Sequence, residues 1–252
     1  MRISFPTRKA GLAAALLACL LAGPAFAAET RVAVAANFAE PARAIAAAYA
    51  RATGHRAILS VGSSGAFATQ IAHGAPFDVF LSADAERPQQ VERDGQGVPG
   101  SRFTYAIGRL VLYSTRPGLA TGAPVLRTGR FDRLAIADPA AAPYGAAAVQ
   151  AMRRLDVLTR LTPRLVTGSS IAQAYQFVAA GTADLGFVAL AQVVDKPGGS
   201  RWLVPAAFHA PIDQQAILLR AGSANPAATG FLAFLKSRRA VAIIRRYGYE
   251  VR

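Results

Sequence analysis

Four places along the chain set small or neutral polar residues at the start of a helical pattern: Ala36-Asn37-Phe38, Ser63-Ser64-Gly65, Pro143-Tyr144-Gly145 and Ser169-Ser170-Ile171. The first N–H groups of any helix have no partner inside it, and the helix dipole adds partial positive charge there. Several such ends brought together hold an anion through main-chain donors, with no cationic side chain. None of these junctions contains Lys, Arg, Asp or Glu. A donor-only set suits a fully ionised dianion, because a partly protonated phosphate needs an acceptor for its own proton. Taken singly, Asn37, Ser64 and Ser170 also read as ordinary helix caps, a common use of Ser and Asn at that position.

The elements that must position these junctions are legible as periodicity. Residues 31–36 form a β-rich run, followed by Asn37, Pro41 and an alanine-rich amphipathic stretch that stops before Gly54. Residues 57–61 read as a strand, Gly62-Ser63-Ser64-Gly65 as a turn, 66–73 as a helix closed by Gly74, and 78–82 as another strand. Strands alternating with helices imply parallel sheets in an α/β fold. Residues 103–114, with Gly108 inside, make a long extended run that could cross between two lobes. A second set follows: strand 134–137, turn Asp138-Pro139, helix 145–155, strand 165–167, a helix from Ser169-Ser170 to about 180, and strand 184–190. Residues 213–219 are a second crossing candidate, and two helices within 226–247 finish the chain. The expected organisation is a leader over 1–27, lobe I from 28–105 and 213–252, and lobe II from 106–212. In open α/β sheets, ligands bind at the carboxyl ends of strands, where the junctions fall.

Arg2, Arg8 and Lys9, an apolar run over 10–23 and Ala25-Phe26-Ala27 read as an export signal with a cleavage site. The run is too short to span a bilayer, and Gly23-Pro24 breaks it. A lipid anchor at Cys19, the single cysteine, is a minor alternative. Cleavage after Ala27 removes that cysteine, and with it disulfides, thiol nucleophiles and cysteine-ligated metals. It also removes three of the 28 basic residues and no acidic one, leaving 25 against 14. A nucleic-acid partner is not expected: the arginines are scattered, and no basic run is interleaved with aromatics.

Val34-Ala35-Ala36-Asn37-Phe38, Gly62-Ser63-Ser64-Gly65, the block from Gly74-Ala75-Pro76 to Ser82-Ala83-Asp84, Pro143-Tyr144-Gly145, Ala183-Asp184-Leu185-Gly186-Phe187-Val188 and Tyr247-Gly248-Tyr249 together resemble periplasmic molybdate-binding proteins. The resemblance implies a type II periplasmic binding protein fold, two α/β lobes joined by two extended crossover segments. It implies a monomer that captures molybdate or tungstate, has no cofactor, and delivers its ligand to the membrane permease of an ABC importer. It sets the oxyanion against Asn37, Ser64, Tyr144 and the backbone N–H of Ile171, with Ala36, Ser63 and Ser170 as possible further donors. Two positions depart from many members: Asn37 replaces a serine, and Ala189 replaces a ligand tyrosine. Tyr144 stands where those members have a small residue, which suggests that its phenol supplies the missing donor.

Other classes fit less well. A serine hydrolase would use Ser64, yet Gly62-Ser63-Ser64-Gly65-Ala66 is not the Gly-x-Ser-x-Gly elbow, and His55, His73 and His209 have no supporting context. No His/Asp/Glu group has metal-ligand spacing; Asp78, Asp84 and Asp138 read as turn and cap residues, and Tyr105 and Tyr113 as core or cleft filler. An effector lobe of a transcription factor would need a DNA-binding segment where the leader stands. A sulfate binder is the closest alternative, since sulfate is also a tetrahedral dianion. The expected function is therefore binding and not catalysis.

Overall fold

The computed structural model describes residues 27–251; the leader up to residue 26, Cys19 included, and residue 252 lie outside the described residues. Strand β1 (Glu29–Ala35) runs parallel to β2 (Arg56–Gly62) and β3 (Val79–Leu81). The last four residues of β1 are buried, as befits a strand covered on both faces. Helix α1 (Ala39–Thr53) follows β1 and buries Pro41, Ala42, Ile45, Ala48 and Tyr49, a stripe at helical spacing. Gly54, at φ 76°, ends it in the left-handed conformation that glycine adopts without strain. Helices α2 (Ser64–Ala72) and α3 (Glu86–Arg93) follow β2 and β3. The sequence pattern gave residues 86–93 no element, because this short polar helix buries only Pro88 and Val91.

Strand β4 (Phe103–Gly108) belongs to this first sheet, whereas β5 (Leu110–Ser114) belongs to a second one, so the chain changes sheet at Arg109. Helix α4 (Ala123–Thr128), strand β6 (Leu134–Ala137), helix α5 (Pro143–Arg154), the one-turn helix α6 (Leu158–Leu161), strand β7 (Leu165–Gly168), helix α7 (Ile171–Ala179), strand β8 (Leu185–Ala189), the one-turn helix α8 (Leu190–Val193) and strand β9 (Ser200–Leu203) build the second lobe. Strand β10 (Ile212–Leu218) then lies antiparallel between β3 and β4, and helices α9 (Pro226–Leu235) and α10 (Arg238–Arg246) pack on the first lobe. The two sheets, ordered β2-β1-β3-β10-β4 and β7-β6-β8-β5-β9, repeat one plan. In each, parallel strands bear the helix junctions, and one antiparallel strand, β10 or β5, arrives from the crossing.

The second crossing differs from the sequence expectation. Residues 213–219 do not cross; β10 pairs along its length with the first sheet, and the chain returns through 204–211. Pro205 and Pro211 bound that return, and proline cannot donate to a sheet ladder. Among the described residues no helix is long and apolar enough to cross a membrane.

Candidate functional site

The four junctions meet between the lobes. Ala36, Asn37, Ser63, Ser64 and Ala83 from the first lobe and Pro143, Tyr144 and Ile171 from the second line a cavity with about 200 Å³ of space between its atoms. The enclosed part of it is far smaller than the pockets that take organic ligands. No charged side chain lines it. Among the described residues no group of three His, Cys, Asp or Glu could hold a metal ion. A larger hollow beside the crossing segments carries Arg109, Arg245 and Glu250, but none of Asn37, Ser64, Tyr144 and Ile171 lines it.

Each junction presents donors for a local reason. In α2, Ser63 is the N-cap and its hydroxyl accepts from Ala66 N–H at 3.3 Å, which uses it as a cap. Ser64 begins the helix, is 1 % exposed, and its Oγ accepts from Ala83 N–H at 2.9 Å. With that lone pair engaged, the Ser64 proton remains available to an acceptor. In α5, Pro143 has no N–H, and Gly145 N–H bonds to Ala142 O at 2.8 Å, so Tyr144 N–H is the first-turn donor without a helical partner. Gly145 is required here, because a Cβ would stand 2.2 Å from Ala137 O and push the helix off β6. In α7, Ser170 is the N-cap, accepting from Gln173 N–H at 3.3 Å, and Ile171 N–H opens the helix. Ala36 and Asn37 lie in the 3-10 turn Ala36–Phe38 after β1.

The Asn37 side chain turns toward the hinge. Its Nδ2 donates to Gln214 Oε1 at 2.8 Å and to Tyr249 Oη at 3.0 Å, while Tyr249 donates back to Asn37 O at 2.8 Å. Tyr105 donates to Gln214 Oε1 at 3.1 Å, and Gln214 Nε2 donates to Tyr144 Oη at 3.3 Å. The Tyr144 hydroxyl completes the circuit by bonding to Tyr249. Phe38 packs edge-on against Tyr105 at 4.7 Å and Tyr249 at 5.4 Å, which seals the network from water. Burial pushes the phenols of Tyr105, Tyr144 and Tyr249 up, so all three remain protonated donors.

The Tyr144 hydroxyl accepts from Gln214 in the hinge network, and Tyr144 also lines the cavity. The network also gives Tyr105 a role that periodicity assigned to core filling. Sequence reasoning missed Gln214, a polar residue at an inward position of the alternating pattern in β10, opposite Ala106. At position 189 the side chain of Gln192 ties the site together, accepting from Ala189 N–H at 2.9 Å and donating to Ile171 O at 3.1 Å. Asp84 accepts from Arg87 N–H at 3.1 Å and Asp138 from Ala140 N–H at 2.9 Å, the local turn and cap roles read from the sequence, whereas Asp78 instead joins distant segments, accepting from Arg31 N–H at 2.7 Å and from Asn225 at 3.2 Å.

Residues 30–250 match the family described as bacterial extracellular solute-binding protein. The chain is 51% identical, over 97% of its length and 98% of the relative's, to the molybdate-binding protein ModA of Rhodobacter capsulatus. It is 50% identical, over 94% of its length and 96% of the relative's, to ModA of Azotobacter vinelandii. The solved Azotobacter vinelandii periplasmic molybdate-binding protein superposes with a TM-score of 0.86 at 42% identity, covering 88% of this chain and 99% of that one. The chain therefore belongs to the ModA family of bacterial extracellular solute-binding proteins.

Proposed function

We propose that this protein captures molybdate or tungstate outside the cytoplasmic membrane and hands it to the permease of an ABC importer. The carrying observation is the charge-free cavity of about 200 Å³ onto which the main-chain starts of the 3-10 turn, α2, α5 and α7 converge, together with the Ser64 hydroxyl. Asn37, Ser64, Tyr144 and Ile171 are the proposed ligand residues, Asn37 and Tyr144 through their main chains. Ala36 N–H is a further candidate, whereas Ser63 and Ser170 serve as caps. A dianion gains most from such a site, since donors and dipoles oppose no acceptor there. A wider hollow shares Ala36 and Asn37 with the cavity and is lined by Lys196 and by Arg43 paired with Glu40, which leaves one unbalanced positive charge there. The leader read over residues 1–27 accounts for export to the periplasm, and the two lobes, each with its own sheet, act as a monomer that closes on its ligand.

Calorimetric titration of the protein from Ala28 onward with molybdate, tungstate, sulfate and phosphate tests this reading. Molybdate and tungstate should bind tightly, sulfate far more weakly and phosphate without measurable heat. Tight phosphate binding, or tighter sulfate than molybdate, rejects it.

A further inference from the structure

On one flank of the cavity the lobes touch through contacts separate from the cavity's own donors. Gly65, the second residue of α2, donates its N–H to Ala141 O at 2.9 Å. Arg87 of α3 donates from Nη2 to the adjacent carbonyl, Ala140 O, at 2.6 Å. Both acceptors sit in the turn that leads into α5. That turn is fixed from within, because Asp138 Oδ1 accepts from Ala140 N–H at 2.9 Å and Asp138 O accepts from Ala142 N–H at 2.8 Å. Arg87 is fixed as well: Asp84 accepts from its guanidinium in a short ion pair, and Ser82 Oγ donates to the same carboxylate at 3.0 Å. The two side chains are only 21% and 18% exposed, so this pair is shielded as a surface pair is not.

Ala140, Ala141 and Tyr144 belong to one turn-and-helix unit, so the carbonyls reach Arg87 when the start of α5 reaches the cavity. We propose that Arg87 is a positioning residue that latches the closed lobes and thereby slows release of the bound ion. It touches no ligand-lining group and acts through the turn before α5. Asp84 neutralises its charge, so it contributes geometry and not long-range attraction. Its effect therefore falls on dissociation and leaves association alone.

This inference rests on the oxyanion reading, and stopped-flow kinetics with molybdate separates the two. Arg87→Met should release molybdate about tenfold faster, the loss of one charge-assisted bond. Its association rate should stay within about twofold of the parent's, as expected when no steering charge is lost. The ligand-free melting temperature should fall modestly, because Asp84 loses its shielded partner whether or not ligand is bound, and Arg87→Lys, which keeps a donor, should recover part of the slow release. An unchanged release rate in Arg87→Met overturns the latch, as does a loss confined to association. Failure of the unaltered protein to bind molybdate would instead reject the oxyanion reading.

Discussion

The hydroxyl of Tyr144, on the second lobe, accepts a 3.3 Å hydrogen bond from Nε2 of Gln214, on the first, and neither residue is more than 1% exposed. This contact ties the ligand-facing start of α5 to the strand that returns from the second crossing. Through Gln214 Oε1 it also reaches Asn37, so both lobes' cavity residues share one hydrogen-bonded circuit. A satisfied buried network of this kind specifies one arrangement, and any member left unpaired is costly.

Tyr144→Phe removes the acceptor for Gln214 and the donor to Tyr249. The ligand-free protein should lose about 1–3 kcal/mol of stability, the cost of leaving a buried polar group unpaired. Molybdate affinity should fall by less than about tenfold, since the main-chain donor survives. Urea unfolding and calorimetry measure the two quantities. A hundredfold loss of affinity at unchanged stability would return the phenol to the ligand shell.

Gly108→Ala tests the same circuit from the crossing strand. A Cβ there would lie 2.2 Å from Tyr144 Oη and 2.8 Å from Gln214 Nε2. Both groups must move, and overpacking of this sort costs roughly 1–3 kcal/mol. The variant should melt earlier and bind molybdate more weakly; a wild-type melting curve would show that the hinge has slack.

Ser64→Ala deletes the side-chain hydroxyl that lines the cavity and also leaves Ala83 N–H without its 2.9 Å acceptor. Loss of a bond to a buried dianion is worth about 1.5–3 kcal/mol, hence roughly a ten- to hundredfold weaker complex. Calorimetry with molybdate reads it directly, and unchanged affinity would remove Ser64 from the site.

Asp184 tests the scaffold of the second lobe. Its Oδ2 accepts from Asp132 N–H at 2.7 Å and Arg133 N–H at 3.0 Å, and its other oxygen pairs with Arg116. Burial pushes this carboxyl up, but the two N–H donors and Arg116 outweigh it and hold the group below its ordinary range. A depressed folded value means the stabilisation is fully present above the unfolded pKa of about 3.9 and is lost as pH falls through the folded one. Asp184→Asn should therefore cost about 1–2 kcal/mol at neutral pH, by weakening two charge-assisted bonds. The gap to the parent should narrow below about pH 4. Urea midpoints at pH 7 and pH 3 give the comparison, and a gap that stays constant would be wrong for this mechanism.

Lobe closure is measurable by small-angle scattering. Among the described residues the chain passes between the two sheets at Arg109 and again through residues 204–211, a pair of segments suited to hinge rotation. Saturating molybdate should lower the radius of gyration of the ligand-free protein. An unchanged radius would indicate a rigid, preformed site.

The sequence by itself determined the local pieces. Period-2 and period-3.6 patterns with glycine stops placed most strands and helices to within a residue or two, because a strand such as Leu134–Ala137 or a stripe such as Ile45, Ala48 and Tyr49 encodes its own burial. The junctions were legible for the same reason: a helix start exposes its N–H groups whatever surrounds it. The tertiary structure alone decided which groups those junctions turn toward the cavity. Gln214 is 177 residues from Asn37 and 70 from Tyr144, and only the docking of β10 between β3 and β4 beside the second lobe brings the three together, which no local pattern records. The Tyr144 phenol follows from that pairing, since a long side chain at a helix start can face either the cavity or the hinge. Gly108 leaves the space that the Tyr144 hydroxyl fills beside Gln214, while the same residue lines the cavity at the start of α5.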